Sequence, residues 1–243
     1  LENLIEKPLF NRGREFSLTT DGEIFLGYAR RIYELHRESL DRFKQPELQG
    51  EIRFGLPEDF ANMILSDVLV EFSRLHPRII LNVECDLTRN ILDRYQDGKF
   101  DLILVKMNHP DEFTEGVNVW NEPVQWIGRN ELLPAFTETV PLVLSPKPCV
   151  YRGNVIAALD SAGIPWRVVY SSTSYAGKMA AVKAGLGITA IQKTMIPGYL
   201  EPLQNSFLPA LNDLHISLLK KDKDNKAINS LEFFLLKKLK NKT

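Results

Sequence analysis

Cysteine is nearly missing from this chain. Its two thiols, Cys85 and Cys149, are far apart and have no companion ligands at metal spacing. That excludes a disulfide framework or a zinc module, and both read as reduced, structural side chains. A bias to one charge sign is also missing. A formal net charge of -1 excludes a protein that coats nucleic acid wholesale, although a local basic tip stays compatible with DNA contact. No run approaches the roughly 20 apolar residues of a membrane span. Nothing at the start resembles a basic plus apolar secretion signal, so the expected location is the cytoplasm, with no membrane partner. His36, His76, His109 and His215 are scattered, with none at metal-ligand or nucleophile spacing. The chain therefore reads as no enzyme, with no catalytic residue, metal or cofactor.

What is present is 44% apolar and 25% charged sequence over 243 residues, enough for two modest cores. The architecture changes near Gly50. Before it, Thr20 and Glu23 have the spacing of a capping box and predict the start of a helix of about 24 residues. Phe25, Tyr28, Ala29, Ile32, Leu35, Leu40 and Phe43 recur at spacings of mostly three and four, so they share one stripe. A helix of that length is about 36 Å long, too long to lie wholly on a small amino-terminal fragment. Its expected mate is the same helix of a second copy, giving a homodimer or homotetramer. Upstream, Leu9 and Phe10, then Asn11, Arg12, Gly13 and Arg14, then Ser17 to Thr19 read as strand, turn and strand. Arg12 and Arg14 at the tip suit phosphate contact, though such a cluster is more often plain solvated surface.

Beyond Gly50 the pattern alternates strands and helices: strand 51–55, helix 64–75 ended by His76-Pro77, strand 79–84, helix 88–96 and strand 101–106. From Val117 come strands at 125–128 and 140–144, helix 150–162, strand 166–170, helix 174–184 and strand 188–191, then strand 214–220 and helix 227–240. Alternation of this kind predicts parallel sheets joined by crossovers. Gly185-Leu186-Gly187 follows a helix and precedes a strand, the reverse of a dinucleotide fingerprint, and reads as a turn. Trp120, Trp126 and Trp166 read as strand core or hinge packing.

The combined segments Leu1-Glu2, Leu9-Phe10-Asn11-Arg12, Leu18-Thr19-Thr20-Asp21-Gly22 and Tyr28-Ala29 resemble the end of the winged helix-turn-helix and the linker helix of the LysR-type transcriptional regulators. The resemblance continues through Leu48 to Gly55, Phe72 to Pro77, Ile164-Pro165-Trp166-Arg167 and Ala180 to Gly187, and covers essentially the whole chain. It implies an α/β fold: a periplasmic-binding-protein-like regulatory domain of two subdomains, preceded by a winged-helix remnant and a long linker helix. The implied bounds are 1–19 for the wing, 20–47 for the linker helix, 48–116 with 218–243 for subdomain I, and 117–217 for subdomain II. It further implies that most of the recognition helix lies upstream of Leu1, so this stretch should not by itself read operator DNA sequence.

Two subdomains joined by crossing strands leave a cleft, and in open α/β sheets ligands sit at the carboxyl ends of strands. The expected effector site is Pro57, Glu58 and Asp59 after the first strand, Lys106 and Met107 after the third, Ser145 after the strand ending at Leu144, and Ser171, Ser172, Thr173 and Ser174 before a helix. Hydroxyls and backbone N–H groups at a helix start accept an anion or a polar small molecule, but they are also ordinary caps. The implied mechanism is a small-molecule effector that changes oligomer geometry on operator DNA. The rival readings are a periplasmic solute-binding protein, which shares the cleft, and an oligomerisation fragment that titrates full-length partners.

Overall fold

A computed structural model describes residues 1–12, 16–44, 48–61, 65–109, 116–131, 139–203 and 207–240. The chain divides into two units, Leu1–Leu48 and Gln49–Thr243.

The first unit runs α1 (Glu2–Ile5), β1 (Phe10–Arg12), β2 (Phe16–Leu18) and α2 (Thr20–Lys44). The two strands pair antiparallel with Phe10 opposite Leu18, and Asn11 Nδ2 ties them by donating to Ser17 Oγ and the Leu18 carbonyl. The Glu2 carboxylate accepts from the Leu9 and Phe10 N–H groups at 2.6 and 3.1 Å, so α1 is fastened to the hairpin. The cap of α2 is one residue earlier than the capping-box spacing predicts. Thr19 Oγ1 accepts from Gly22 N at 3.0 Å and donates to the Pro8 carbonyl at 2.6 Å. With Thr19 as cap, the third helical position falls on Gly22, so Glu23 has no reciprocal role. Gly22 is needed for another reason: a Cβ there would lie 2.0 Å from the Leu9 carbonyl oxygen.

Along α2, Tyr28, Ile32, Leu35 and Leu40 are exposed, while Phe25 and Ala29 are half-buried. The Phe43 side chain lies outside the described residues. So does Arg14, and Arg12 is described only as backbone of β1.

The second unit holds two lobes. It runs β3 (Gln49–Leu56), α3 (Glu58–Phe60), α4 (Ser66–Leu75), β4 (Arg78–Cys85), α5 (Thr88–Gln96), β5 (Leu102–Met107), β6 (Val117–Glu122), β7 (Val124–Gly128), β8 (Val140–Leu144), α6 (Val150–Ser161), β9 (Trp166–Ser171), α7 (Tyr175–Lys183), β10 (Thr189–Gln192), β11 (Glu201–Pro202), β12 (Leu214–Lys220) and α8 (Lys226–Lys240). The first lobe is a five-stranded sheet in the order β4-β3-β5-β12-β6. β3 pairs parallel with β4 and β5, as crossovers through α4 and α5 require. Every residue of β5 is buried, as expected for a strand covered on both faces.

The sheets differ from the expected all-parallel pattern. β12 runs antiparallel to both β5 and β6, because the chain returns to the first lobe from the second and enters from the opposite end. Residues 117–122 therefore hydrogen-bond into the first sheet, whereas the sequence pattern begins the second subdomain at Val117. Residues 214–217, also allotted to the second, lie in β12 with them. In the second lobe β10, β7 and β11 are antiparallel, and β8 pairs parallel with β9. A parallel bridge from Leu142 to Ile188 links the two sets.

One core joins Ile52, Phe54 and Phe72 of the first lobe with Leu142, Val155 and Ile188 of the second, and a smaller one gathers Ile91, Leu92, Phe100 and Met107. The turn at Gly185 to Gly187 needs glycine twice over. Gly185 has φ 79°, the left-handed conformation that ends a helix, and a Cβ on Gly187 would lie 2.5 Å from the Pro141 carbonyl oxygen.

Candidate functional site

The ends of β3, β4 and β5 in the first lobe face the starts of α6 and α7 in the second, enclosing a cleft of about 540 Å³, within the usual range for small-molecule sites. Of the ten expected effector residues, Pro57, Glu58, Asp59, Lys106, Ser145, Thr173 and Ser174 line it. Met107, Ser171 and Ser172 are not among the lining residues. Successive strand residues face opposite sides, so with Lys106 turned to the cleft Met107 points into the smaller core. Ser171 is the last residue of β9, and the Ser172 hydroxyl accepts from Ser174 N, which shapes the turn.

At the floor, the Lys106 ammonium bonds the Asp59 carboxylate, and both side chains are nearly buried. The same carboxylate oxygen accepts from the Tyr151 hydroxyl at 3.2 Å, which also contacts Gln192 Oε1 at 2.8 Å. Burial disfavours charge on Asp59, but the Lys106 ammonium outweighs it, helped by Lys178 and Tyr151, and holds the carboxyl below its usual range. Burial, with Asp59 alongside, pushes the Tyr151 phenol well above its ordinary value, so the phenol is a donor and not an anion. The Lys106 ammonium also lies 4.4 Å from the Tyr151 ring centroid, within cation–π range.

At the mouth, Ser174 caps α7 by accepting from Gly177 N at 3.2 Å. Glu58 reaches this helix from the other lobe: its carboxylate accepts from Tyr175 N at 2.7 Å and from the Ser174 hydroxyl at 3.4 Å. Desolvation raises the Tyr175 phenol to about 12, and its hydroxyl donates to the Met195 carbonyl at 2.5 Å.

The sequence pattern does not single out Thr88, Tyr151 and Lys178 as cleft residues, nor Cys85 and Cys149, yet all five line the cleft. Thr88 opens α5 directly after β4, the same strand-end rule that picks out Pro57 and Lys106. Lys178 lies four residues after Ser174, one helical turn along the same face. Tyr151 carried no signal, because a tyrosine at a helix start resembles any core aromatic. Both cysteines are free thiols, and burial raises that of Cys85, with Glu58 and Asp59 adding to it. Among the described residues, no group of three or more His, Cys, Asp or Glu side chains could hold a metal ion, and no helix is long and apolar enough to cross a membrane.

Residues 45–235 match the family model for the LysR substrate binding domain. The chain is 34% identical over 201 residues to the HTH-type transcriptional regulator DgdR of Burkholderia cepacia, covering 82% of this chain and 68% of that protein. It is 33% identical over 234 residues to the HTH-type transcriptional regulator PecT of Dickeya dadantii, covering 95% and 73%. Among solved structures, the OxyR2 regulatory domain from Vibrio vulnificus superposes with a TM-score of 0.60 at 18% identity, covering 80% of this chain and 98% of that one. Full-length BenM does so at 0.59 and 16%, covering 97% and 83%. At these identities the likeness is one of fold.

Proposed function

Because the chain belongs to the LysR family of transcriptional regulators, which are not enzymes, we propose that it senses a small-molecule effector in the cleft between its lobes and passes the result to operator DNA through α2. The observation that carries this reading is the cleft itself, lined from both lobes at once, so its occupant couples directly to the angle between them. A ligand shifts such an equilibrium only as far as its affinities for the two arrangements differ, and a tenfold preference supplies about 1.4 kcal/mol.

The stripe Phe25, Tyr28, Ala29, Ile32, Leu35, Leu40 and Phe43 is the dimerising face. Exposure of Tyr28, Ile32 and Leu35 supports that role, since apolar side chains repeating along a solvent-facing helix are what a second copy covers. Arg12 and Arg14 are the proposed phosphate contacts, positioning the wing without reading bases. Work on DNA in the cytoplasm fits this reading. The wing-like hairpin and the long helix have no place in a periplasmic solute-binding protein.

The test is a thermal-shift screen of metabolites on the whole chain, followed by Ser174→Ala and Lys178→Met. A ligand of this cleft raises the melting temperature of the parent, and the shift shrinks in both variants. A ligand whose shift is the same in all three proteins would place the effector site elsewhere.

A further inference from the structure

The amino end of α7 is already occupied by a carboxylate from within the chain. Glu58 sits in α3 of the first lobe, yet its two oxygens accept from Tyr175 N and the Ser174 hydroxyl of the second lobe. A helix start with free N–H groups attracts an anion, and here the anion is built in. The adjoining Asp59 also reaches across, to the Tyr151 hydroxyl. Two consecutive carboxylates therefore bridge the lobes.

A second observation says that Glu58 does not use all that the site offers. Lys178, one turn along α7, lines the cleft and is 8% exposed. Its ammonium lies 6.0 Å from the Tyr151 ring centroid and acts on Asp59 only through its field, that carboxylate being already paired with Lys106, and no side-chain hydrogen bond or ion pair is its own among the described residues. Thr88, 4% exposed on the facing lobe, has a hydroxyl without a hydrogen-bond partner among the described residues. A buried cation and a buried hydroxyl left over at one cleft are costly unless something polar completes them.

We propose that Glu58 is an internal stand-in for a ligand anion: it latches the lobes together at the start of α7, and a carboxylate or similar small anion acts by displacing it, taking over Tyr175 N and the Ser174 hydroxyl and pairing with Lys178. This rests on the reading of the cleft as the effector site. Displacement removes a bridge between lobes, and an anion held on α7 that also reaches the Thr88 hydroxyl of the first lobe replaces it with a bridge of different length, so the anion resets the lobe angle instead of merely filling a gap. The latch also lowers apparent ligand affinity by the fraction of molecules in which it is open.

The test uses the whole chain with Glu58→Gln and Glu58→Ala, sulfate as the probe at constant ionic strength, and hydrogen exchange of the segment spanning Tyr175. Circular dichroism confirms that both variants fold. The expected results are exchange at Tyr175 at least tenfold faster in Glu58→Ala, and sulfate binding at least tenfold tighter in both variants than in the parent. Adding Lys178→Met to either variant returns sulfate binding to the parent level. Unchanged exchange overturns the latch, and faster exchange without tighter sulfate binding overturns the competition. Neither result bears on whether metabolites bind the cleft. Conversely, a metabolite whose melting shift ignores Ser174 and Lys178 defeats the effector-site reading while leaving the exchange result standing.

Discussion

The buried pair at the cleft floor shows how strongly one side chain depends on its neighbour. Asp59 and Lys106 are held away from water, and removing one partner of such a pair leaves an unpaired charge. Lys106→Met is expected to lower stability by about 3–5 kcal/mol, and Asp59→Asn with Lys106→Met to cost less than Lys106→Met alone. Urea unfolding of the three proteins measures both. Glycine gives a second case. Gly187→Ala drives a Cβ to 2.5 Å from a backbone carbonyl, whereas around Gly153 there is nothing within 4 Å. Gly187→Ala should lose about 2 kcal/mol or more by strain, and Gly153→Ala, in a helix interior, should gain up to about 1 kcal/mol. Only part of this is legible in sequence. Gly185-Leu186-Gly187 reads as a turn because a helix precedes it and a strand follows. The Pro141 carbonyl that forbids a side chain at Gly187 comes from a distant strand.

At the scale of elements, helix and strand positions follow from local pattern. Strands 140–144 and 214–220 occur where the apolar runs place them, and α5 spans the expected 88–96. The cap of α2 is the instructive miss: Thr19 and Thr20 are equivalent by type, and only the Pro8 carbonyl beside Thr19 distinguishes them. Packing between elements carries a pH signature. His76, at the end of α4, meets Ser230 Oγ of α8 at 2.8 Å and lies among the rings of Phe72 and Phe234. Burial lowers its pKa from 6.5, so the unfolded chain binds the proton more readily than the folded one. Stability from this group is complete above pH 6.5 and is lost as pH falls through the lowered folded value. Melting temperatures between pH 7.5 and 5 should decline, and His76→Gln should flatten that decline.

For the whole molecule, the cleft is legible as a place but not as a mechanism. The strand-end rule selects Glu58 and Ser174 separately. That they bond to one another depends on two lobes meeting across 116 residues of chain, which no local pattern encodes. The mixed sheet has the same origin, since β12 acquires its direction only from the returning path. Association is a property of this scale too. Leu35, 62% exposed in the middle of the α2 stripe, should anchor the second copy. Leu35→Glu is expected to weaken self-association at least tenfold, about 1.4 kcal/mol, by sedimentation. If the mass in solution is unaffected, α2 is not the contact.

The adjacency of β6 and β12 has one more consequence. These neighbouring antiparallel strands carry the chain out to the second lobe and back. The outward path turns at Pro123 straight into β7, and the return path is pinned where Asn154 and Asn212 exchange two hydrogen bonds. The covalent links between the lobes thus run side by side through one antiparallel pair of strands. On the reading proposed above, a molecule lodged between the lobes would act on the rest of the protein through the angle that these two adjacent links leave free.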